Sequence, residues 1–293
     1  AVQAAEPPLE RRIALFMDCL DHLDLSYREA AGHVRDLGFA GPDLTVRGGG
    51  VVAPEQAATE LPRALAAFRE AGLSVPMLST NLTAAEDPTA EPILRGMQAH
   101  GVRFFKLGYL HYRNVARWQV EVEENRRRLR ALGQLAARYG AQAGLHNHAG
   151  GNIGGAIWDG WELLAPLSPE HFGFYFDAGQ ATIEGGEHAW KLNFHRIVPR
   201  LKMVAIKDFV WEKREGRWRT RWVPLGEGMV RWPEFFALLR GASFPGPVSL
   251  HIEYDPGGNT RTEKIERTLA AAARDLTVLR RFLDAAPTPR PNS

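Results

Sequence analysis

The sequence has one cysteine, Cys19. That excludes an intrachain disulfide and any thiolate zinc site, and a lone cysteine after Met17 and Asp18 reads as packing rather than as a nucleophile. No stretch reaches the about 18 consecutive apolar residues that a membrane helix needs. Neither sign of charge dominates: Lys and Arg total 36, Asp and Glu 34, and the net charge is +2. A nucleic-acid surface needs basic residues gathered on one face. The densest group, Arg126, Arg127, Arg128 and Arg130, follows Glu121, Glu123 and Glu124 at helical spacing, as on a solvated helix face. Nucleic acid and membrane are therefore not expected partners. The chain also opens, AVQAAEPPLE, without Met and without an apolar signal region. Such a start suits the stub left by signal cleavage and an exported, periplasmic protein, the alternative being a cytoplasmic one.

What is present is a pattern. In 293 residues, 45% hydrophobic and 24% charged, there is material for a large core. Apolar runs over 12–19, 41–50, 73–81, 102–110, 141–148, 172–179, 201–209 and 248–254 read as strands. Helical periodicity falls between them at 26–38, 54–72, 91–101, 119–140, 158–167 and 187–198, and at the end over 260–284. Ser26 is the cap of the first helix, and Pro62 should kink or divide the second. Eight strand–helix units in one chain predict a parallel sheet closed into a single (β/α)8 TIM barrel over 11–285. A flexible segment, 1–10, precedes it and a disordered Pro-rich tail, 286–293, follows. GGNIGG (150–155) lacks a Walker lysine and is a weak phosphate signal. Long loops follow the second and seventh strands. The longer, 209–232, carries a hairpin around Glu215-Gly216 and Trp211, Trp218, Trp222 and Trp232, which stack on a sugar or pack the loop.

Polar residues gather where the strands end: Asp18, Arg47, Asn81, Lys106, His146 with His148, Asp177, Lys207 with Asp208, and His251 with Glu253. Barrel closure brings such ends to one mouth. In a strand, residues two apart share a face, so His146 and His148 go together, as do His251 and Glu253. Imidazole and carboxylate without thiolate suit Mn²⁺, Mg²⁺, Co²⁺ or Zn²⁺. A divalent cation polarises sugar oxygens while a carboxylate, imidazole or lysine moves a proton next to a carbonyl. Each pick has a plain alternative: a structural histidine, a helix N-cap at Asp177, or an ion pair of Glu253 with Lys207 or Arg47.

The stretches DLTVRGGG, AGLHNHAGG, FGFYFDAGQA, VAIKDF, VPLGEGMVRW and VSLHIEY, in this order and at these strand ends, resemble the sugar phosphate isomerase/epimerase, or xylose isomerase-like, TIM barrel superfamily. The resemblance spans nearly the whole chain. It implies one divalent metal at the mouth, ligated by His146, Asp177 and Glu253, on a homo-oligomeric scaffold. The strand-seven ligand departs: where many relatives read His-x-Lys-Asp, this chain has Ala205-Ile206-Lys207-Asp208. Gln180 stands where many have histidine. The gap is filled by His148 or His251, or by water, or the metal is absent.

The resulting expectation is a metal-dependent sugar isomerase or epimerase. Glu253 or His148 takes the proton and Lys207 steadies the enolate. Arg47, Asn81, Lys106 and Trp222 bind the rest of the sugar. A lyase or hydrolase acting on 3-keto-glycosides is the alternative on the same scaffold, and a non-catalytic carbohydrate-binding barrel is the third reading. Endonuclease IV-like DNA repair shares the fold but usually needs three metals and more ligands than are offered here.

Overall fold

Most segments become what their period dictates. In chain order the elements are β1 Ile13–Phe16, α1 Asp18–Asp21, α2 Tyr27–Asp36, β2 Gly41–Val46, α3 Ala57–Glu70, β3 Met77–Thr80, α4 Ala90–Ala99, β4 Phe104–Lys106, α5 Trp118–Arg138, β5 Gln142–His146, α6 Trp158–Leu164, β6 Phe172–Asp177, α7 Ala178–Ile197, β7 Leu201–Ile206, β8 Asp208–Arg214, β9 Arg217–Val223, α8 Trp232–Gly241, β10 Val248–Leu250 and α9 Arg261–Ala285. They come from a computed structural model, which describes residues 8–242 and 244–285. β1 through β7 pair in parallel with their sequence neighbours, and β10 closes the barrel between β7 and β1. β8 and β9 form a separate antiparallel hairpin.

The strands are buried on both faces because helices cover the outside, and they carry Asp43, Thr45, Ser79 and Ser249 among their apolar residues. Leu15, Leu44, Leu78, Phe105, Leu145 and Ile206 belong to the large core cluster that includes the helices. A smaller cluster of Met77, Tyr175, Met203 and Ala205, with Phe104 against it, forms separately. Burying each large side chain contributes roughly 1.5–3 kcal/mol. Gly144 leaves room here: a Cβ would displace the Met203 methyl group and press on Tyr175. The register places Ala205 beside both Asp177 and Ser249, and His146 beside Tyr175.

Local signals hold at several ends. Ser26 and Glu29 make a reciprocal capping box on α2. The hairpin turns at Glu215 (φ 50°) and Gly216 (φ 77°), the two positive φ values of a type I′ turn. Three expectations need correction. Pro62 neither divides nor ends α3. Its missing N–H costs one bond near the helix start, and that is offset by the buried face Ala57, Leu61, Ala64, Leu65 and Phe68. The helix expected from 187 starts directly after Asp177 and breaks at Gly186 (φ 63°, ψ −155°). The N-terminal segment is structured from Leu9, which is buried in a short 3-10 turn, Leu9–Arg12. Residues 1–7 and the expected tail 286–293 lie outside the described residues.

The long loop after β7 is organised by Asp208. Its carboxylate accepts from the backbone N–H groups of Phe209 (3.0 Å), Gly226 (3.0 Å), Gly228 (3.1 Å) and Val230 (3.3 Å), and from Trp232 Nε1 (2.9 Å). This explains the stretch VPLGEGMVRW: Gly228 packs against the carboxylate so closely that a Cβ would overlap it. Asp208→Ala leaves these donors without their acceptor. It should cost about 3–5 kcal/mol, and hydrogen exchange should show the Gly226, Gly228 and Val230 amides losing protection. Unchanged exchange at those amides would contradict the assignment.

Candidate active site

The strand C-terminal ends surround a cleft of about 770 Å³, whose walls include Arg47, Lys106, Tyr109, His146, His148 and Trp222, with His251 and Glu253 opposite. A continuous chain of polar contacts crosses its floor. The Ser249 hydroxyl donates to Asp43 Oδ2 (2.8 Å), and the Tyr175 hydroxyl lies 3.1 Å from the same oxygen and 2.8 Å from His251 Nε2. His251 Nδ1 is 3.0 Å from Glu253 Oε1. The Lys207 ammonium donates to Glu253 Oε1 and Oε2 (2.9 and 3.0 Å) and pairs with Asp177 Oδ2 at 3.4 Å. Asp177 Oδ2 in turn meets His146 Nε2 at 3.1 Å, and the Tyr109 hydroxyl is 3.4 Å from His146 Nδ1.

Asn147, between the two histidines, is the residue that sequence reasoning missed. It is fully buried, donating to the Asp177 carbonyl (2.9 Å) and accepting from the Asp177 N–H (2.8 Å). It thereby fastens the end of β5 to the end of β6. The signal was strand alternation itself: if His146 and His148 share a face, Asn147 points to the other one. Asp177 is also the N-cap of α7, accepting from the Gln180 N–H at 2.9 Å. Gln180 reaches back to accept from the Ala149 N–H (3.0 Å).

Charge is unevenly distributed over this network. Burial opposes the ammonium of Lys207, but Glu253 and Asp177 outweigh it and raise its pKa above the usual lysine range. Burial likewise opposes both acids, yet Lys207 first, with His251 at Glu253 and His146 at Asp177, holds each below the usual carboxylate range. Burial takes His146 down to about 3 against the pull of Asp177, so its ring is neutral. Nε2 therefore carries the proton it shares with ionised Asp177, and Nδ1 accepts from Tyr109, whose hydroxyl is pushed up to about 12 chiefly by burial. Lys106 is different. Burial first, then Arg47 and Lys207, against Asp43, bring it down to about 7. Its ammonium donates to the Leu107 carbonyl (2.9 Å) and lies 4.0 Å from the centre of the Tyr109 ring.

The structure brings together His146, His148, Asp177, Lys207, His251 and Glu253 as expected, though Lys207 and Asp177 lie buried beneath the floor rather than on the cleft wall. Arg47 lines the cleft but is engaged by Asp18 and by Asp21 (3.6 Å), with its guanidinium over Phe16. Asn81, expected to bind substrate, is exposed past β3 and does not line the cleft; the chain turns there, where the Asn81 carbonyl packs against Gly108. The tryptophans divide. Trp222 lies over the Lys207 ammonium at 4.4 Å, Trp232 is buried on Asp208, and Trp211 and Trp218 are exposed.

The donor set does not fit the expected divalent metal. Among the described residues, no group of three or more His, Cys, Asp or Glu side chains is arranged to hold one. The oxygens of Asp177 and Glu253 that would ligate it converge on an ammonium, the His146 lone pair faces Tyr109, and Ala205 offers no donor.

A family model described as a xylose isomerase-like TIM barrel matches residues 32–281. No curated protein matches the chain in sequence. Among solved structures, a 3-keto-D-glucoside 4-epimerase from E. coli superposes with a TM-score of 0.68 at 16% identity, covering 92% of this chain and 99% of that one. A xylose isomerase-like TIM barrel protein from Mycobacterium smegmatis, in complex with magnesium, gives 0.67 at 17% over 93% and 97%. A D-allulose 3-epimerase from Methylomonas sp., in complex with D-allulose, gives 0.69 at 15% over 96% and 100%.

Lys106 generates a prediction with a definite sign. Its folded-state pKa lies below the ordinary lysine value, so its buried charge costs stability. That cost is full below about 7 and shrinks as the pH rises from there toward the lysine value of 10.5. Lys106→Met should therefore raise Tm, and by more at about pH 6 than at about pH 9. An equal shift at both, or a loss, would contradict the assigned environment.

Proposed function

Because the chain belongs to the xylose isomerase-like TIM barrel family, we propose that its mouth removes a proton from the carbon next to a sugar carbonyl and returns it, as an isomerase or epimerase does. The supporting observation is a pair of groups on the cleft wall, His148 and Lys106, packed against the same tyrosine. His148 Nδ1 is 3.1 Å from the Ala149 carbonyl oxygen, which can only accept, so Nδ1 holds the proton and Nε2 keeps its lone pair. Among the described residues no hydrogen bond engages Nε2, and burial first, then Lys207, lowers the ring's pKa, which favours the neutral base. The His148 ring is 5.0 Å from that of Tyr109, the ring that Lys106 also touches. A general acid or base works best with a pKa near the working pH, and Lys106 at about 7 meets that condition.

In this reading His148 Nε2 takes the α-proton and Lys106 donates to the carbonyl oxygen as negative charge develops on it. Delivery of the His148 proton to the former carbonyl carbon, with Lys106 taking back a proton from the hydroxyl of the neighbouring carbon, completes an isomerisation and restores both groups. Glu253 is a poor base because both its oxygens are bonded to Lys207 and its acidity is raised. With Lys207 and Asp177 it forms the rigid floor that positions His146 and Tyr109. Trp222 gives the sugar an apolar wall, and the Arg47–Asp18 pair offers polar contacts to hydroxyls. No step passes through a metal, for which the donor set is unsuited.

The same enolate has a second fate, expulsion of a group β to the carbonyl, which is the lyase reading for 3-keto-glycosides. The cleft favours keeping it. At about 770 Å³ it lies in the upper part of the roughly 300–1,000 Å³ range of ligand pockets, with room for an aglycone beside one sugar ring.

The test is deuterium incorporation from D₂O into a panel of ketoses and 3-keto-glycosides, followed by NMR. Wild-type protein should exchange the α-proton of at least one, and His148→Asn should lower kcat about 10²–10⁴-fold with KM little changed. Saturable binding of these sugars with no exchange or elimination would make the protein a carbohydrate-binding barrel instead.

A further inference from the structure

The geometry points to Lys207 as the resident cation of this mouth, an ammonium standing where the carboxylates would otherwise gather a divalent metal, so that the site works without one. The inference deepens the proposed reaction and rests on it only for its catalytic half.

Two observations carry it. The first is the position of Nζ, 2.9 and 3.0 Å from the two oxygens of Glu253 and 3.4 Å from Asp177 Oδ2. Those are the oxygens that a metal ligated by Asp177 and Glu253 would use, and the third candidate ligand, His146, is hydrogen-bonded to the same Asp177 oxygen. The second is Ala205, two residues before Lys207 and in register with Asp177 across the β6–β7 pair. It is fully buried in the small cluster with Met77, Tyr175 and Met203. The inward position on β7 thus carries a methyl group where a ligand would stand, and the next inward position supplies the positive charge.

Of the two, only Ala205 departs from the His-x-Lys-Asp pattern; the lysine is kept, and here it stands beside a position with no donor. Two buried carboxylates need a cation, and Lys207 is held in place by both of them and by the Trp222 ring at 4.4 Å. With the ammonium buried and closed in by Trp222, an incoming dication meets repulsion rather than open ligands. Lys207 is accordingly a positioning residue. It holds Asp177 Oδ2, which meets His146 Nε2 at 3.1 Å, and His146 Nδ1 in turn lies 3.4 Å from the Tyr109 hydroxyl.

The experiment is Mn²⁺ binding by equilibrium dialysis and EPR, with Tm measured in EDTA and in Mn²⁺, on wild-type protein and on Lys207→Met. Wild-type protein should take up no stoichiometric Mn²⁺ and should keep the same Tm in both. Lys207→Met should melt lower, or fail to fold, in EDTA and be restored by Mn²⁺ but not by NaCl of equal ionic strength. Stoichiometric Mn²⁺ on wild-type protein, or a wild-type Tm raised by it, overturns the inference. So does a Lys207→Met protein indifferent to Mn²⁺. Deuterium exchange run in EDTA separates the two readings: no Mn²⁺ binding and no exchange in any condition defeats the proposed reaction alone, whereas exchange that appears only with Mn²⁺ defeats the resident ammonium alone.

Discussion

The ion pair of Lys207 with Glu253 and Asp177 is the interaction on which the mouth depends. A buried carboxylate costs several kcal/mol unless it is paired and hydrogen-bonded, and here two of them share one ammonium. Their engagement sets everything around them. Asp177, ionised, fixes the tautomer of His146 and caps α7 through its other oxygen. Glu253, ionised, accepts from His251, which connects through Tyr175 to Asp43 on the far side of the barrel. Three strand ends, those of β6, β7 and β10, are thereby tied together at the rim.

The floor and the wall have different electrostatics. On the floor, opposite charges are paired, and Lys207, Glu253 and Asp177 are driven away from neutral-range titration. On the wall, Lys106 has no ion pair among the described residues and is pushed the other way by burial, to about 7. One lysine is thus held as a cation, while the other is brought to the range where it can gain or lose a proton. The difference lies in their neighbours: two carboxylates within 3.4 Å in one case, a backbone carbonyl and a tyrosine ring in the other. Such divergent tuning of like groups in one cleft is a mark of acid–base sites.

The barrel was legible because alternation of apolar runs with helical segments is a property of the chain itself, and the strand ends were legible because closure makes them converge. The grouping of His146, His148, Asp177, Lys207, His251 and Glu253 follows from that. Two contacts within the group stood among the plain alternatives, the Asp177 cap and the Glu253–Lys207 pair; the reach of Lys207 to Asp177 did not follow. Whether Lys207 reaches into solvent or into Asp177 and Glu253 depends on rotamers and on the Trp222 hairpin, neither of which has a sequence period. Asn81 shows the same limit: it ends a strand like the others, but the turn after β3 leaves it exposed. Asp208 shows the reverse. An aspartate at a strand end looked chemical, and it is spent on ordering a loop, because the glycines and tryptophan that surround it are distant from β7 along the chain but return to it in space.

The central claim is that an ammonium, not a metal ion, balances the carboxylates of this mouth. The most direct measurement is anomalous X-ray diffraction from crystals grown in Mn²⁺ at the Mn absorption edge. The account predicts no anomalous peak at the mouth and Lys207 Nζ within hydrogen-bond distance of both Asp177 and Glu253. A peak bounded by His146, Asp177 and Glu253, with the Lys207 side chain displaced, would contradict it.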